Sequence, residues 1–283
     1  MSSLPLPAHH TKHIPLLDYS FLDRRFSLRQ LDDGKSNGTA LWLGAQCLSL
    51  YLADISMKLK ASVKPNTRPR AVELGSGGVG DANFAGLCTQ HQRALRRLVL
   101  SSLGWDVLAT DVSDVVSTVL EENVSRNLAN PTGDLGMINV RELDWTVPPS
   151  DWTWANLGGI SSHPVSDGVD DIELLRPPFD LIVTSDTLYS ESLCTPLLRS
   201  LHTLCTQSSR STPKGLRTPP IYICVERRDS ALIDRALSEA RSDWGFAVER
   251  VSQKKVTKAM EKGGLRWNKE DWEGVELWRM ALQ

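Results

Sequence analysis

The sequence lacks the cysteine and histidine spacings that hold metal ions. None of the five cysteines, at positions 47, 88, 194, 205 and 224, forms a C-x-x-C pair, and the six histidines contain no H-x-x-x-H pair. A zinc site needs three or four such ligands close together, so we expect no metal. Three of the cysteines lie inside apolar runs, which favours buried thiols in a reducing compartment over disulfides.

Long apolar runs and an excess of one charge are also missing. No stretch approaches the ~18 apolar residues of a membrane span, and the N-terminus does not have the pattern of a signal peptide. The net charge of -2 provides no basic field for holding nucleic acid. The basic runs "RALRRL" (93–98) and "SQKKVTKAMEK" (252–262) are typical of solvated helix or loop faces. We therefore expect a monomer in the cytoplasm, or in the cytoplasm and nucleus, that binds neither nucleic acid nor membrane.

What the chain does contain, from about residue 70 onward, is an alternation of β-rich runs with helical patterns. The predicted strands are "RAVELGSG", "WDVLATD", "MINVRELDW", "FDLIVTSD", "PIYICVERR", "FAVERVSQ" and "GVELWRMAL", and the clearest helices are "SDVVSTVLEENVSRNLA" and "SALIDRALSEARSDW". This order predicts an α/β fold with a doubly wound, mostly parallel seven-stranded sheet. The last two strands, with no helix predicted between them, should form a C-terminal antiparallel hairpin.

The chain reads as one domain with a short extension. Residues 1–35 are predicted to be a partly flexible N-terminal extension, and residues 36–283 a single domain. Three segments interrupt the alternation, near 81–100, 148–178 and 206–220. The second is rich in Pro, Gly, Ser and Asp, which is typical of a long surface insertion.

A glycine-rich stretch, "AVELGSGGVG" (71–80), follows the first predicted strand of the alternation. Gly75, Gly77 and Gly80 fit the G-x-G-x-x-G turn of dinucleotide-binding proteins. The same residues fit another loop that opens with an acid, Glu73-Leu74-Gly75-x-Gly77. The first interpretation implies hydride transfer and the second methyl transfer, and the glycines alone do not separate them.

Acidic and aromatic residues stand where the next strands end, which is where ligands bind in such sheets. Asp111 is either a ribose ligand or a helix N-cap. Asp144 and Trp145 follow the third strand, where a tryptophan stacks on a purine or covers the edge of the sheet. Asp186 and Tyr189 follow the most apolar strand; on a helical turn they would share one face, either orienting an amine or serving as a cap and a packed ring.

These pieces together resemble the class I S-adenosylmethionine (SAM)-dependent methyltransferases with a Rossmann-like fold, specifically methyltransferase family 16, the seven-β-strand protein-lysine methyltransferases. "NGTALWLGAQCLSLYL" looks like the family segment upstream of the first strand, which implies that Trp42 contacts the cofactor. "VELGSGGVG" resembles motif I, the loop around the methionine part of SAM. The resemblance implies cofactor contacts by Glu73, Gly75, Ser76 and Gly77.

The resemblance runs from about residue 36 to the C-terminus, and the remaining motifs follow in the family's order. "LATDVSDVVSTVLEENVSRN" implies that Asp111 binds the ribose hydroxyls, and "LDW" implies that Trp145 lies against adenine. In "FDLIVTSDTLY", Ser185 would contact SAM, while Asp186 and Tyr189 match the family's D-x-x-Y signature and would be catalytic. The segment 81–100 is longer than in the family, and the insertion at 148–178 is not one of its hallmarks.

The resemblance implies an N-methyltransferase that modifies lysine side chains of a protein, with translation elongation factors and chaperones as the substrate classes. A small-molecule N-methyltransferase with the same fold is the alternative. An NAD-linked oxidoreductase is disfavoured because no Tyr-x-x-x-Lys pair follows Tyr189 and no histidine-centred hydride-transfer site is evident. A catalytically silent scaffold is opposed by the intact set of motif residues.

Overall fold

The structure analysed is a computed structural model. It describes residues 5–30, 41–63, 65–75, 94–113, 116, 125–127, 134–157, 159–162, 173–212 and 215–283.

The described elements are eleven strands and five α-helices. The strands are β1 (Leu16–Phe21), β2 (Arg24–Arg29), β3 (Arg70–Leu74), β4 (Asp106–Asp111), β5 (Ile138–Glu142), β6 (Leu181–Ser185), β7 (Arg210–Thr212), β8 (Gly215–Arg217), β9 (Ile221–Glu226), β10 (Phe246–Arg250) and β11 (Val275–Leu282). The helices are α1 (Leu43–Lys60), α2 (Ala94–Ser102), α3 (Glu191–Ser208), α4 (Ser230–Ser242) and α5 (Gln253–Lys262).

Seven strands form the central sheet in the order β10-β11-β9-β6-β3-β4-β5. The five strands from β9 to β5 are parallel, and β11 is antiparallel to both β9 and β10. The α/β fold with a mostly parallel seven-stranded sheet and a C-terminal antiparallel pair is therefore confirmed. All seven strands predicted from the sequence are present. Because β3 lies between β6 and β4, the strand order reverses at β3, which is where ligands bind in such folds.

The link between the last two strands was predicted wrongly. Helix α5 lies between β10 and β11 and covers most of the basic run at 252–262. Val256, Ala259 and Met260 are its buried residues, at spacings of three and four that place them on one face. The lysines take up the rest of the helix surface, so the solvated face expected for this run is confirmed. The apolar stripe within the basic run was the signal for the helix.

Helices cover both faces of the sheet. Helices α1, α2 and α5 pack on one face, and α3 and α4 pack on the other. Neighbouring residues of β3 show the division, because Ala71 belongs to the first cluster and Val72 to the second. Side chains alternate between the faces of a strand, so a run such as "LIV" is apolar throughout when both faces are covered.

The extension and insertions also contribute structure. Strands β1 and β2 pair as an antiparallel hairpin whose Tyr19, Phe21 and Phe26 are buried in the core. Within the segment 148–178, the described residues Trp152 and Ile160 are buried, so this insertion is not confined to the surface. Strands β7 and β8 form a short hairpin inside 206–220. The helix predicted over 113–129 and the first part of 81–100 lie largely outside the described residues.

Two composition-based expectations can be compared with the structure. The four described cysteines, at 47, 194, 205 and 224, are buried free thiols, as predicted. None of the described helices has the length and apolar character needed to cross a membrane.

Candidate active site

The carboxyl ends of β3, β4 and β6 are tied together by two threonine side chains. The Thr110 hydroxyl donates to the carbonyl of Glu73 at 2.8 Å, and the Thr184 hydroxyl donates to the carbonyl of Leu74 at 2.9 Å. Both threonines are fully buried, so these bonds are shielded from water. They fix the backbone from which the glycine loop departs at Gly75. Ser76 and Gly77, also predicted to hold the cofactor, lie outside the described residues.

Asp186 stands at the end of β6 in an unusual backbone conformation. Its φ of 52° is left-handed, a region that side chains other than glycine seldom occupy and that is concentrated at functional sites. Two hydrogen bonds hold the residue there. Its N–H donates to the carbonyl of Cys224 at 2.8 Å, and its Oδ1 accepts from the N–H of Glu226 at 3.3 Å. The neighbouring β9 therefore sets the direction of this carboxylate.

The second oxygen of Asp186 is free to bind a ligand. Oδ2 is buried and has no hydrogen-bond partner within the described part of the chain. Burial raises the pKa of Asp186 to about 6, although the charges of Arg96 and Arg228 and a hydrogen bond from Ser185 act in the opposite direction. At pH 7.4 the group is mainly a carboxylate. A buried anionic oxygen of this kind favours a cationic or hydrogen-donating ligand.

The N-terminus of α1 packs against Asp186. Gly44 lies in the first turn of this helix, and a Cβ built on it would be 2.8 Å from the Asp186 carboxyl carbon. Only a glycine allows this approach. Trp42 is the N-cap of the same helix, so the predicted cofactor contact and the predicted catalytic carboxylate lie at one place.

Trp42 is buried, and cations lie against its ring. The Nζ of Lys12 is 4.0 Å from the ring centroid and the guanidinium carbon of Arg228 is 3.7 Å from it. Cations over an aromatic face are stabilised by the ring quadrupole. Since Arg228 follows β9, these contacts bring Trp42 to the carboxyl edge of the sheet. Its indole Nε1 has no hydrogen-bond partner among the described residues.

A buried cluster of charges lies beside this edge, contrary to expectation. The run "RALRRL" was predicted to be a solvated face, yet Arg96 and Arg97 are fully buried in α2. Glu73 explains why. Its Oε1 accepts from the Nε of Arg96 at 2.8 Å, and its Oε2 accepts from the Nε of Arg97 at 3.0 Å. The guanidinium of Arg96 also donates to the Ser185 hydroxyl, which joins the ends of β3 and β6.

The predicted ribose and adenine residues stand at the ends of β4 and β5. Asp111 is fully buried, and its Oδ1 accepts from the N–H of Val112 at 2.8 Å. Trp145 is also fully buried and belongs to the core cluster beneath α3 and α4. Its Nε1 has no hydrogen-bond partner in the described part of the chain. Asp144 forms a local turn instead, because its Oδ1 accepts from the N–H of Thr146 at 2.8 Å.

Asp186 and Tyr189 do not share a helical turn, which corrects the geometry imagined for D-x-x-Y. Helix α3 begins only at Glu191, and the residues between Asp186 and the helix are extended or irregular. Tyr189 is 40% exposed, whereas Asp186 is held inside. The two residues therefore occupy different depths, the carboxylate inside the site and the phenol at its surface.

The residues at this edge fit SAM. A sulfonium or ammonium ligand matches the buried Oδ2 of Asp186, which has no hydrogen-bond partner in the described part of the chain. Hydrogen-bond acceptors such as a carboxylate or a ring nitrogen match the N–H groups of Arg97, Trp42 and Trp145 that have no partner among the described residues. The cofactor carries all of these chemical groups.

Sequence reasoning missed three residues of the site. Gly44 and Arg228 carry no motif by themselves, and they matter only because the fold brings α1 and β9 to Asp186. Arg96 belongs to a run whose composition is typical of a solvated helix. One signal was available. Basic side chains of a helix point into the protein only when an acidic partner is present there, and Glu73 is such an acid.

Comparisons with known proteins agree with this site. A family described as lysine methyltransferase (methyltransferase family 16) matches residues 24–155. The mouse protein N-lysine methyltransferase METTL21A is 29% identical over 199 residues, which cover 70% of this chain and 69% of that protein.

Solved structures are more distant. The chain is 13% identical to the CurJ carbon methyltransferase, with a TM-score of 0.46, and the match covers 83% of this chain but only 54% of that one. A human methyltransferase 10 domain containing protein is 13% identical, with a TM-score of 0.41 and 82% of each chain covered. Over residues 24–155 the chain is therefore similar to the lysine methyltransferase family, and its strand order is that of a Rossmann-like methyltransferase fold.

Proposed function

We propose that this enzyme transfers the methyl group of SAM to the side-chain amine of lysine in a protein, and that the protein is a translation elongation factor or a chaperone. The name of the mouse relative, protein N-lysine methyltransferase, supports a protein substrate. The two substrate classes come from the family resemblance of the motifs. We further propose that the enzyme acts as a monomer, in the cytoplasm or in the cytoplasm and nucleus, and on neither nucleic acid nor membrane lipid.

The observation that carries the proposal is the carboxylate of Asp186, with one oxygen fixed by β9 and the other buried without a partner in the described part of the chain. SAM supplies a methyl group on a positively charged sulfur. The enzyme's main task is then to place an amine nitrogen in line with that methyl group. Asp186 can hold the amine by a hydrogen bond to Oδ2, because Oδ1 is already occupied by the N–H of Glu226.

The lysine amine must lose a proton before it reacts. With an ordinary pKa of about 10.4, a neutral amine at pH 7.4 costs roughly 4 kcal/mol. Anionic Asp186 favours the charged amine, so it does not supply this deprotonation. Exclusion of water and the positive sulfur lower the pKa of the amine. We therefore assign Asp186 to gripping and orienting the nitrogen, while the proton leaves to water.

Tyr189 is assigned to the entrance. It is 40% exposed, which supports a role in shaping the channel for the aliphatic stem of an incoming lysine. An aromatic ring at the rim gives apolar contact to that stem while its hydroxyl remains in water. Deeper in the site, we assign Asp111 to the ribose hydroxyls, Trp145 to adenine, and Trp42, Glu73, Gly75 and Ser185 to the remaining cofactor contacts.

The test is transfer of a labelled methyl group from SAM to proteins of a eukaryotic lysate. The wild type is compared with Asp186→Ala and with a control, Asp134→Ala, which removes an exposed acid that pairs with Arg68. We expect a labelled protein band with the wild type and the control, no band with Asp186→Ala, and methyl-lysine on hydrolysis. SAM binding by Asp186→Ala, measured by calorimetry, should survive.

Other outcomes overturn parts of the proposal. Label only in the small-molecule fraction would support a small-molecule N-methyltransferase instead. Loss of SAM binding together with turnover in Asp186→Ala would make Asp186 a cofactor or folding residue. Methylated residues other than lysine in the labelled band would reject the acceptor chemistry.

A further inference from the structure

The two buried arginines of α2 outnumber the carboxylate that holds them. Glu73 accepts hydrogen bonds from both guanidinium groups, and all three side chains are completely buried. Buried charges are stable only when they are paired and hydrogen-bonded. The other carboxylate in the neighbourhood, Asp186, interacts with the charge of Arg96, but its Oδ2 accepts no hydrogen bond within the described residues. The cluster therefore has room for a second anion.

Arg97 is the arginine whose hydrogen-bond donors are not all used within the described residues. Its Nε donates to Glu73, but Nη1 and Nη2 are buried and have no hydrogen-bond partner in the described part of the chain. Burial lowers the pKa of Arg97, with the charge of Glu73 acting in the opposite direction. Two parallel N–H groups on a planar guanidinium match the two oxygens of a carboxylate. Arg96, in contrast, is shared between Glu73 and Ser185.

The position of Arg97 adds to this preference. The contacts of Arg96 with Glu73 and Ser185 place this part of α2 at the carboxyl ends of β3 and β6, where the cofactor is expected. Arg97 follows Arg96 directly and is held by the same carboxylate.

We infer that Arg97 forms the subsite for the carboxylate of the amino-acid part of SAM. The inference rests on the proposed use of SAM. The charge pattern suits this ligand. Within the described part of the chain, the buried Oδ2 of Asp186 has no hydrogen-bond partner and can accept from the amine or face the sulfonium, and Nη1 and Nη2 of Arg97 have none and can donate to the carboxylate. Arg97 is thus a cofactor-binding residue that sets preference for an intact methionyl group.

The test compares binding of SAM with binding of decarboxylated SAM, which keeps the sulfonium and the amine but has no carboxylate. Calorimetric titrations are done with the wild type, Arg97→Met and Arg97→Lys. The wild type should bind SAM about 10- to 100-fold more tightly than decarboxylated SAM, as expected for charge-assisted hydrogen bonds. In Arg97→Met this ratio should fall to about one, mainly through weaker binding of SAM. Arg97→Lys should give an intermediate ratio.

The control is Arg235→Met, which removes an exposed arginine paired with Glu191 and should leave the ratio unchanged. Equal binding of the two ligands by the wild type, or an unchanged ratio in Arg97→Met, would overturn the subsite. These outcomes require SAM binding, so they are distinct from failure of the proposed function, in which the wild type binds neither ligand. If Arg97→Met does not fold, the wild-type ratio and Arg97→Lys still decide the question.

Discussion

Gly44 and Asp186 meet at the point where the first helix of the domain faces the end of β6. A Cβ built on Gly44 would stand 2.8 Å from the carboxyl carbon of Asp186, well inside van der Waals contact. The absence of a side chain at Gly44 therefore lets Asp186 keep its left-handed backbone conformation with its carboxylate against the N-terminus of α1. Because Trp42 caps the same helix, the spacing also fixes the tryptophan relative to the carboxylate.

Substituting Gly44 with alanine should damage catalysis more than folding. Alanine favours the helix by up to about 1 kcal/mol over glycine, which offsets part of the clash. The carboxylate must move, however, and a displacement of about 1 Å can cost about a hundredfold in rate. We expect turnover of Gly44→Ala to fall by roughly 10- to 100-fold while its melting temperature stays within a few degrees of the wild type. Methyl transfer and thermal unfolding are measured on the same preparation.

A double-mutant cycle with Asp186→Ala tests whether the two residues are coupled. If Gly44→Ala lowers the free energy of unfolding through its clash with the Asp186 carboxylate, it should lower it less in the Asp186→Ala background than in the wild type. Equal effects in the two backgrounds would assign the cost to α1 itself.

Asp111 should act on affinity for the cofactor and not on the chemical step. Replacing it with alanine removes a buried carboxylate at the ligand edge, and we expect SAM to bind about 10- to 100-fold more weakly. Asp106→Ala is the matched control, since Asp106 lies at the other end of β4 and accepts from the N–H of Met137 at 2.9 Å. Unchanged affinity in Asp111→Ala, or equal weakening in the control, would reject the ribose assignment.

Much of the fold could be predicted from the sequence because its strands are buried on both faces. In β6, residues 181–183 are apolar and buried, and the polar end of the strand marks the ligand edge. Helix α5 was missed because lysines dominate its composition and only Val256, Ala259 and Met260 show the apolar stripe. The β1–β2 hairpin was missed because it precedes the alternating pattern by which the domain was recognised.

The site was predictable where a residue's role depends on its place at a strand end, and not where it depends on a distant partner. Asp186 and Asp111 follow strands, so their positions at the ligand edge follow from the topology. The burial of Arg97 depends on Glu73, which is 24 residues away in sequence. Similarly, no feature of the sequence near Gly44 indicates that the carboxylate of Asp186, 142 residues later, lies against it.

The stability of the protein should depend on the ionisation of Asp186. Its pKa is raised by burial from 3.8 to about 6, so the folded state favours the protonated form. The stabilisation is fully present below about pH 4 and is lost as the pH rises through about 6. Relative to Asp186→Asn, the wild type should lose at most about 3 kcal/mol of unfolding free energy between pH 4 and pH 7. Urea denaturation at several pH values measures this, and a difference that does not vary with pH would contradict it.

Glu73 should be among the residues on which stability depends most strongly, because it is the carboxylate that holds both Arg96 and Arg97. Glu73→Gln keeps the size of the side chain but leaves two buried guanidinium groups without their counter-charge. Breaking a buried ion pair in this way costs about 3–5 kcal/mol, measured here by urea denaturation. Adding Arg97→Met to Glu73→Gln should recover part of the loss, since one of the stranded charges is then removed. A loss below about 1 kcal/mol, or further destabilisation in the double variant, would show that another anion already neutralises the arginines in the unliganded protein.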